Sequence, residues 1–317
     1  PDVICCGHAA YDLNFIMDEF PVEDRKYKID ELVQTGGGPA SNAASLLAAW
    51  GAKAAYAGLI GDDIFGRLIL EELRESGVET SLVQLDGSKN TPLSAVIVNT
   101  ANGSRTLLNR RDENDQPVVT GEIIKALKTM TPAVLHFDGH ALELSLRMME
   151  VFPDAKVVID AGSYRASTDR LCAAADYAIC SRRYAEVCTG LDDIISEAGR
   201  QSCIKMLSRR YPGQVIVTLG AQGLFFGESG SSTDGPAGVQ AVSMPAFEVE
   251  AMDSTGAGDI FHAAFSFGLL RKYAFKDKLK LASAAAALSV MRPGARTSIP
   301  RLGDSLRMAG ISPETDD

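Results

Sequence analysis

Short β-branched apolar runs alternate along this chain with segments of helical length, and this alternation limits the folds open to it. The apolar runs lie at residues 3–6, 133–137, 156–160 and 215–219. The helix-length segments lie at residues 43–50, 65–76, 121–130, 143–151, 199–211 and 258–273. Strands that alternate with helices form βαβ units. The pattern therefore predicts an α/β protein whose central, mostly parallel sheet is flanked by helices.

Two segments, residues 13–35 and 92–111, depart from this pattern because they are extended and mix polar with apolar residues. The second contains Asn102-Gly103, which is a strong signal for a hairpin turn. Both segments leave and rejoin the α/β body, so we expect one small β-sheet that covers a ligand site as a lid. We predict an α/β domain that binds nucleotide and substrate, formed by residues 1–12, 36–91 and 112–312. The lid would be formed by residues 13–35 and 92–111, and residues 313–317 would be a flexible tail.

The charge balance argues against broad electrostatic partners. The chain has 31 Lys and Arg residues against 41 Asp and Glu residues, a net charge of −10, so neither nucleic acid nor an anionic membrane is expected as a partner. No window approaches the roughly 20 apolar residues of a membrane span. The first ten residues contain no basic segment leading into a long apolar run, and the six cysteines form no CxxC pair. These features predict a cytoplasmic protein with mostly buried thiols.

The most informative motif is a glycine-rich turn, Asp253-Ser254-Thr255-Gly256-Ala257-Gly258-Asp259, which opens directly into the apolar segment 260–270. Its glycines allow backbone N–H groups to converge at the positive end of a helix dipole, where they can bind an anion. At the rim of this turn, Asp259 is placed to take a proton from a hydroxyl that attacks a bound phosphoryl group. The simpler alternative is a tight turn in which Asp259 caps the helix.

This turn closely resembles the D-T-x-G-A-G-D motif of the ribokinase-like (PfkB) carbohydrate kinases, and other motifs follow the order of that family. The stretch Gly36-Gly37-Gly38-Pro39-Ala40-Ser41-Asn42, followed by residues 58–66, is similar to the family's second hallmark. Residues 7–12 resemble the segment with the family's sugar-binding Asp, and residues 218–223 resemble its T-x-G-x-x-G nucleotide loop. The resemblance covers about residues 3–300. It implies a ribokinase-like fold and an ATP-dependent sugar kinase.

The resemblance also implies a role for each matching residue. The base would be Asp259, with the transferring phosphoryl group stabilised by the backbone around Gly256, Ala257 and Gly258. The residues expected to hold the sugar hydroxyls are Asp12, Gly37, Gly38 and Asn42. The residues expected to contact the nucleotide are Thr218, Gly220, Gly223 and Ser289. Two alternatives stay open: Asn42 could be the N-cap of a helix that begins at Ala43, and the alanine run 284–289 could serve close helix packing.

Ions are expected on the same grounds. Mg²⁺ is implied because phosphoryl transfer from ATP requires charge neutralisation. A site for a monovalent cation such as K⁺ is common in the family and would lie near Asp253 and Thr255. One departure is that the family's N-x-x-E motif, which serves metal and phosphates, has no counterpart in register within residues 181–190. Arg182 or Arg183 could neutralise phosphates instead, Glu186 could reach a metal-bound water, or the arginines could simply be solvated at a helix start.

The lid is expected to determine the substrate. Its basic residues include Lys26, Lys28, Arg105, Arg110 and Arg111, although the chain as a whole is acidic. Such residues suit an anionic sugar, although solvated charges on edge strands would give the same pattern. The stretch 291–300 and the pair Phe261-His262 resemble the branch of the family that contains sulfofructose kinase and ketohexokinase-like relatives. In that branch Lys26 and Asn109 would face the charged end of the substrate, with Arg111 beside them.

Three functions follow from these motifs. The first is an ATP-dependent kinase of a ketose or of its sulfo or phospho derivative. The second is a nucleoside kinase of the same fold, which the highly charged lid disfavours because few aromatic residues are available to stack on a base. The third is a catalytically inactive sugar-binding regulator, against which the presence of Asp259 argues. Lids in this family often pair at their edges, so a homodimer is expected.

Overall fold

The computed structural model describes residues 1–101, 104–112, 115–229 and 238–312, and a nine-stranded sheet forms the centre of that part of the chain. From one edge to the other, the strands are β13 (Val239–Met244), β12 (Leu224–Ser229), β11 (Gln214–Thr218), β10 (Tyr177–Ser181), β9 (Lys156–Ala161), β8 (Val134–Phe137), β1 (Val3–Cys6), β4 (Ala54–Gly61) and β5 (Glu79–Asp86). Strand β12 runs antiparallel to both of its neighbours, and the remaining pairs are parallel. The predicted α/β fold is confirmed.

Helices cover both faces of this sheet. One layer contains α1 (Pro39–Ala49), α2 (Ile64–Glu75), α8 (Ala257–Leu270), α9 (Phe275–Ser289) and α10 (Leu302–Ala309). The other layer contains α3 (Gly121–Leu127), α4 (Leu142–Val151), α5 (Ala166–Cys172), α6 (Arg182–Thr189) and α7 (Glu197–Arg210). Strand β1 shows how the two cores arise, since Val3 and Cys5 face the first layer while Ile4 and Cys6 face the second. Successive side chains of a strand point to opposite faces, so a strand buried on both sides is apolar throughout.

A second sheet is built from the two insertions, as predicted. Its strands lie in the order β3 (Glu31–Gly37), β2 (Ala10–Met17), β6 (Leu93–Asn99) and β7 (Ser104–Arg110). Strands β2 and β6 are parallel, and the outer pairs are antiparallel. The turn between β6 and β7 that was predicted at Asn102-Gly103 lies outside the described residues, as does the predicted tail 313–317. We call this second sheet the lid.

The first helix begins earlier than the apolar pattern indicated. Helix α1 starts at Pro39 rather than near Ala43, and Gly38 is its N-cap. Proline suits the first position of a helix because its fixed φ is helical and its missing N–H would have no intrahelical partner there. Asn42 therefore lies inside the first turn of α1, so the alternative that made it an N-cap is wrong.

The order of the strands leaves a crevice at their carboxyl ends. Strand β1 lies between β4 and β8. The strands that follow it in sequence are added on one side of β1 as β4 and β5 and then on the other side from β8 onward, so the strand order reverses at β1. Ligands of open α/β sheets bind at such a switch point. A cavity of about 130 Å³ opens there, lined among others by His8 after β1 and His140 after β8. In the described residues no helix is long and apolar enough to cross a membrane.

Candidate active site

Asp259 lies in the first turn of α8, where the glycine-rich turn ends. The N-cap of this helix is Gly256, whose left-handed φ of 72° suits glycine, and Asp259 lies three residues later, inside the helix. A methyl group at Gly256 would also collide with Ala295. The alternative that made Asp259 a helix cap is therefore wrong. The half-buried side chain of Asp259 does not cap α8 and can contact a ligand.

The first turn of α8 coincides with the glycine-rich motif, so its backbone N–H groups lie where the motif was predicted to bind an anion. The first N–H groups of an α-helix have no intrahelical acceptor. One of them is engaged locally, because the Ala257 N–H donates to the Ser254 carbonyl at 3.3 Å. Open space lies where a Cβ of Gly258 would project, so an incoming group can approach the helix there. This geometry suits an anion at the positive end of the helix dipole.

Asn42 is the direct partner of Asp259. Its amide Nδ2 donates to Asp259 Oδ2 at 2.7 Å, which joins α1 to α8 across neighbouring helices. Asn42 is only 2% exposed, so this hydrogen bond is shielded from water. An amide N–H favours the ionised form of the carboxylate that accepts it.

The surroundings of Asp259 change its acidity. Burial raises the pKa of Asp259 and the nearby Asp160 carboxylate raises it further, while the Asn42 hydrogen bond and His262 lower it. The net shift is upward, which makes this carboxylate a better proton acceptor than an exposed aspartate. Burial lowers the pKa of His262, whose Nδ1 lies 3.3 Å from Asp160 Oδ2.

The predicted sugar-side residues converge next to this pair. Asp12 lies on β2 opposite Thr35 of β3, and Gly37 ends β3 against the start of β2. The Asp12 carboxylate packs directly over the α-carbon of Gly37, and the His8 carbonyl packs over Gly38. Burial raises the pKa of Asp12, which a hydrogen bond from Ser94 and the charge of Arg296 partly offset. The structure thus brings Asp12, Gly37, Gly38 and Asn42 to one end of the crevice.

Asp138, at the end of β8, is a buried carboxylate that the sequence reasoning missed. Its oxygens accept the backbone N–H groups of His8 at 2.7 Å, Ala40 at 3.2 Å and His140 at 2.9 Å. Burial opposes its ionisation, but His140 and these N–H groups outweigh burial and hold the pKa of Asp138 below its usual range. Asp138 therefore fixes the loops after β1 and β8 to the start of α1.

Three of the predicted nucleotide-side residues lie at the carboxyl end of β11, and the fourth, Ser289, lies at the end of α9. Thr218 is the last residue of β11, and Gly220 begins a single 3₁₀ turn. The turn is closed by a hydrogen bond of 2.7 Å from the Leu219 N–H to the Gly223 carbonyl. The space beside Gly220 is open. Ser289 ends α9 but is 1% exposed, and its hydroxyl donates to the Ala286 carbonyl at 2.8 Å. The structure does not present the Ser289 side chain to this crevice, and the alanine run packs α9 against its neighbours.

The segment that replaces the N-x-x-E motif is the start of α6. Ser181 caps this helix by accepting the Tyr184 N–H at 3.0 Å. Arg182 pairs with Glu186 at 2.7 Å, one turn later on the same helix. Glu186 is thus engaged with Arg182, while Arg183 is exposed at the carboxyl end of β10.

Asp253 shapes the loop in which a cation site was expected. One oxygen accepts the Thr255 N–H at 2.8 Å and the Thr255 hydroxyl at 2.6 Å, and the other accepts the Gly294 N–H at 2.8 Å. These bonds tie the turn before α8 to the loop after α9. Within the described ranges no group of three or more His, Cys, Asp or Glu side chains could hold a metal ion.

The basic residues of the lid fall into different places. Lys26 lies exposed on the loop between β2 and β3, and Asn109 is exposed on β7 opposite Ser94. Arg111 follows β7, lines the cavity and lies 2.7 Å from His140 Nε2. Arg105 donates to the Ser254 hydroxyl at 3.1 Å, which links the lid to the turn before α8. Of the three lid residues predicted to contact the substrate, Arg111 lines the cavity, and Lys26 and Asn109 do not.

Arg296 and Glu72 are further polar residues of the site that no motif indicated. Arg296 lies in the loop after α9, its side chain is 7% exposed, and it contacts Glu72 of α2 at 2.9 Å. Both were overlooked because each lies far in sequence from its partners. The only available signal was an arginine inside the stretch 291–300 that resembles one branch of the family.

Comparisons with known proteins show the family and the fold. A family model for pfkB family carbohydrate kinases matches residues 1–302. Ribokinase of Haemophilus influenzae is 27% identical over 284 residues, which is 85% of this chain and 86% of that protein. Ketohexokinase of Mus musculus is 24% identical over 293 residues, which is 88% of this chain and 92% of that protein. The structure of Arabidopsis thaliana ribokinase with ribose and ATP has the same fold, with a TM-score of 0.79 at 19% identity over 98% of this chain and 99% of that one.

Replacing Asp138 by Asn should destabilise the protein in a pH-dependent way. The loss of a buried charged acceptor is expected to lower the free energy of unfolding by about 1–3 kcal/mol at pH 7. Because folding depresses the pKa of Asp138, its contribution is complete above the unfolded-state value of about 3.9 and is lost as pH falls through the folded value. Urea unfolding of both proteins should show a constant difference from pH 7 to 5 that shrinks below about pH 4.

The exposed carboxylate of Asp62, which pairs with Arg67 at 2.8 Å, offers a matched control. Asp62→Asn should leave the free energy of unfolding within about 0.5 kcal/mol of the parent value. Equal effects of the two substitutions would contradict the role assigned to Asp138.

Proposed function

The chain belongs to the pfkB family of carbohydrate kinases, and from that premise we propose that it transfers the γ-phosphoryl group of ATP to a sugar hydroxyl with Asp259 as the base. It is a phosphotransferase with an alcohol group as acceptor. The donor is proposed as ATP because kinases of this family use it and because a protein of the same fold binds ATP together with ribose.

The pair formed by Asp259 and Asn42 carries this proposal. A half-buried carboxylate with a raised pKa, that of Asp259, lies in the first turn of α8, and the space beside Gly258 in the same turn is open. The proton acceptor and the anion-binding N–H groups therefore occupy successive residues of one rigid helix. A reaction that removes a hydroxyl proton while negative charge moves onto phosphoryl oxygens needs this juxtaposition.

The step follows from these positions. The substrate hydroxyl gives its proton to an Asp259 oxygen as its own oxygen forms a bond to the γ-phosphorus. The bond from that phosphorus to the β,γ-bridging oxygen breaks, and ADP leaves with the electron pair. Asn42 holds Asp259 in place, while Asp12, Gly37 and Gly38 orient the sugar. Backbone N–H groups at the start of α8 stabilise the charge on the transferred group.

The ions are part of the same proposal. Mg²⁺ neutralises phosphate charge when it is bound, and it commonly keeps several waters and takes most of its protein contacts from one or two carboxylates. The described residues, which contain no metal cluster of three or more ligating side chains, fit an ion carried mainly by the nucleotide. For K⁺, the loop shaped by Asp253 and Thr255 would supply backbone carbonyls.

Asp259→Asn should lower kcat by about 10²–10⁴ because the proton acceptor is lost, with little change in KM for ATP. In the parent protein, kcat/KM should fall as pH decreases through the raised pKa of Asp259, since only the ionised form accepts the proton. Coupled-enzyme measurement of ADP release over a pH series tests both statements. Asp62→Asn, a substitution on the exposed surface, is the control. Parental turnover in Asp259→Asn would contradict the role of this residue.

For the substrate we propose a ketose or an anionic ketose derivative carrying a phosphate or sulfonate group. The cavity at the switch point is bordered by Lys89, Arg111 and Arg165, together with His8 and His140. It also contains the acidic residues Asp112 and Asp115, and Lys89 pairs with Asp115. An anionic group that enters this cavity would meet Arg111 at its wall, and guanidinium groups bind phosphate and sulfonate well once water is excluded.

Arg111→Ala should therefore lower kcat/KM for an anionic sugar about 10- to 100-fold, the effect of losing one hydrogen bond to a charged group. It should change kcat/KM for the matching neutral sugar far less. Lys26→Ala should have a smaller effect than Arg111→Ala, because Lys26 lies exposed on a loop away from the cavity wall. Steady-state kinetics with pairs of neutral, phosphorylated and sulfonated sugars provide the measurement. Equal losses for both members of each pair would remove the anionic substrate.

A homodimer formed through the lid is proposed as the assembly. The outer strand β7 is exposed along its length, and Leu107 and Leu108 on it are 45% and 61% exposed. Exposed apolar side chains on an edge strand favour pairing with another strand. A second copy of this chain offers a matching edge through a two-fold axis.

Leu108→Lys should then convert the dimer to a monomer, because it places a charge in the centre of the shared edge. Val118→Lys, at an equally exposed apolar residue outside the lid, should leave the dimer intact. Sedimentation velocity of the three proteins distinguishes these outcomes. A monomeric parent protein, or a dimer that survives Leu108→Lys, would contradict assembly through β7.

A further inference from the structure

Behind Asn42 lies a buried cation, Arg296, whose side chain bonds to three residues on two helices. One guanidinium nitrogen donates to Glu72 Oε2 of α2 at 2.9 Å, and another donates to the Ser41 hydroxyl of α1 at 2.9 Å. Its Nε donates to Asn42 Oδ1 at 3.3 Å. Arg296 thus touches the opposite end of the same amide that contacts Asp259.

This contact decides which way the amide points. A carboxamide has a donor end and an acceptor end of nearly equal shape, and its neighbours determine the orientation. A guanidinium has donors only, so it must face Oδ1, and Nδ2 is then directed at the carboxylate of Asp259. In the reversed orientation, Oδ1 would face Asp259 and the Nδ2 hydrogens would face Arg296, so both contacts would be repulsive.

We propose that Arg296 is a positioning residue for catalysis, which holds the Asn42 amide with its nitrogen toward Asp259 and thereby keeps the base ionised and aligned. This inference rests on the proposed function, because it assigns Arg296 a role through the base of that reaction. Arg296 is hydrogen-bonded to Asn42, and Asn42 in turn to Asp259, so the proposed effect of Arg296 on the base passes through the Asn42 amide.

Glu72 completes the arrangement. Its Oε2 accepts hydrogen bonds from the Arg296 guanidinium and from the Gly36 N–H, the latter at 2.7 Å. The buried cation therefore has a counter-charge, and the end of lid strand β3 is held to α2. A methyl group at Gly36 would overlap the Arg296 guanidinium and the Glu72 carboxylate. The glycine at this position therefore makes room for the ion pair. A buried charge is tolerated when it is paired and hydrogen-bonded in this way.

Removal of Arg296 should shift the acidity of Asp259. The titratable groups that act on Asp259 are Asp160 of β9 and Asp138 after β8, together with His262 on the same helix as Asp259. None of these changes when Arg296 is replaced. An amide free to turn over would offer Oδ1 to the carboxylate, disfavour its ionised form and raise its pKa. Since the ionised form is the active one, the acid limb of the kcat/KM profile should move to higher pH.

The experiment compares Arg296→Ala and Arg296→Lys with Arg292→Ala, a substitution of an exposed arginine in the same loop. Arg296→Ala should lower kcat about 10- to 100-fold by misalignment of the base, and its acid limb should lie at higher pH. Added guanidinium chloride at millimolar concentration should restore part of kcat to Arg296→Ala and none to Asp259→Asn. Arg296→Lys should lie between, and Arg292→Ala should match the parent protein.

A double-mutant cycle with Asn42→Ala distinguishes positioning from a purely structural role. If Arg296 acts through Asn42, then Arg296→Ala on the Asn42→Ala background should neither lower kcat further nor move the acid limb. Full additivity of the two losses, or an unmoved acid limb in both Arg296 variants, would overturn the proposal. Should Arg296→Ala fail to fold, Arg296→Lys and its pH profile decide the question. Parental turnover in Asp259→Asn would instead show that the proposed function itself is wrong.

Discussion

The hydrogen bond from Asn42 to Asp259 is the contact on which the rest of the site depends, because it joins the two helices that carry the groups proposed to bind the sugar and the phosphate. Helix α1 brings Asn42 from the glycine-rich stretch at the end of the lid, and α8 brings Asp259 from the second glycine-rich turn. The two helices lie side by side on one face of the central sheet. In the proposed reaction, sugar positioning and proton removal are therefore linked through one amide.

The loops around this contact are held by carboxylates that accept backbone N–H groups from other elements. Asp138 binds loops after β1 and β8 to α1, Asp253 binds the turn before α8 to Gly294, and Glu72 binds Gly36. A charged acceptor makes stronger hydrogen bonds than a neutral one, and burial prevents water from competing. Loops at the carboxyl edge of the sheet are thereby fixed without regular secondary structure. This fixation allows short loops to align groups that lie far apart in sequence.

Much of the fold could be predicted from the sequence, since apolar runs such as residues 156–160 and 215–219 show their burial on both faces in their composition. The starts of helices were harder to predict from the sequence. Helix α1 begins at Pro39 because the proline and the glycine before it determine the boundary, and the spacing of apolar residues does not show either of them. In the site, Asp259 and Asn42 lie in motifs, whereas Asp138, Glu72 and Arg296 act through partners far away in the chain. Such long-range polar pairs leave no local pattern, so only the fold reveals them.

The most direct test of the central claim, that this chain phosphorylates a sugar, is ³¹P NMR of the protein with MgATP and a panel of ketoses, their phospho and sulfo derivatives, ribose and nucleosides. The expected result is a new phosphomonoester signal from one of the sugars that grows in equal amount to ADP. A spectrum in which ADP forms only together with inorganic phosphate, or in which no sugar accepts the phosphoryl group, would contradict the claim. A phosphomonoester formed only from a nucleoside would contradict the choice of sugar as acceptor.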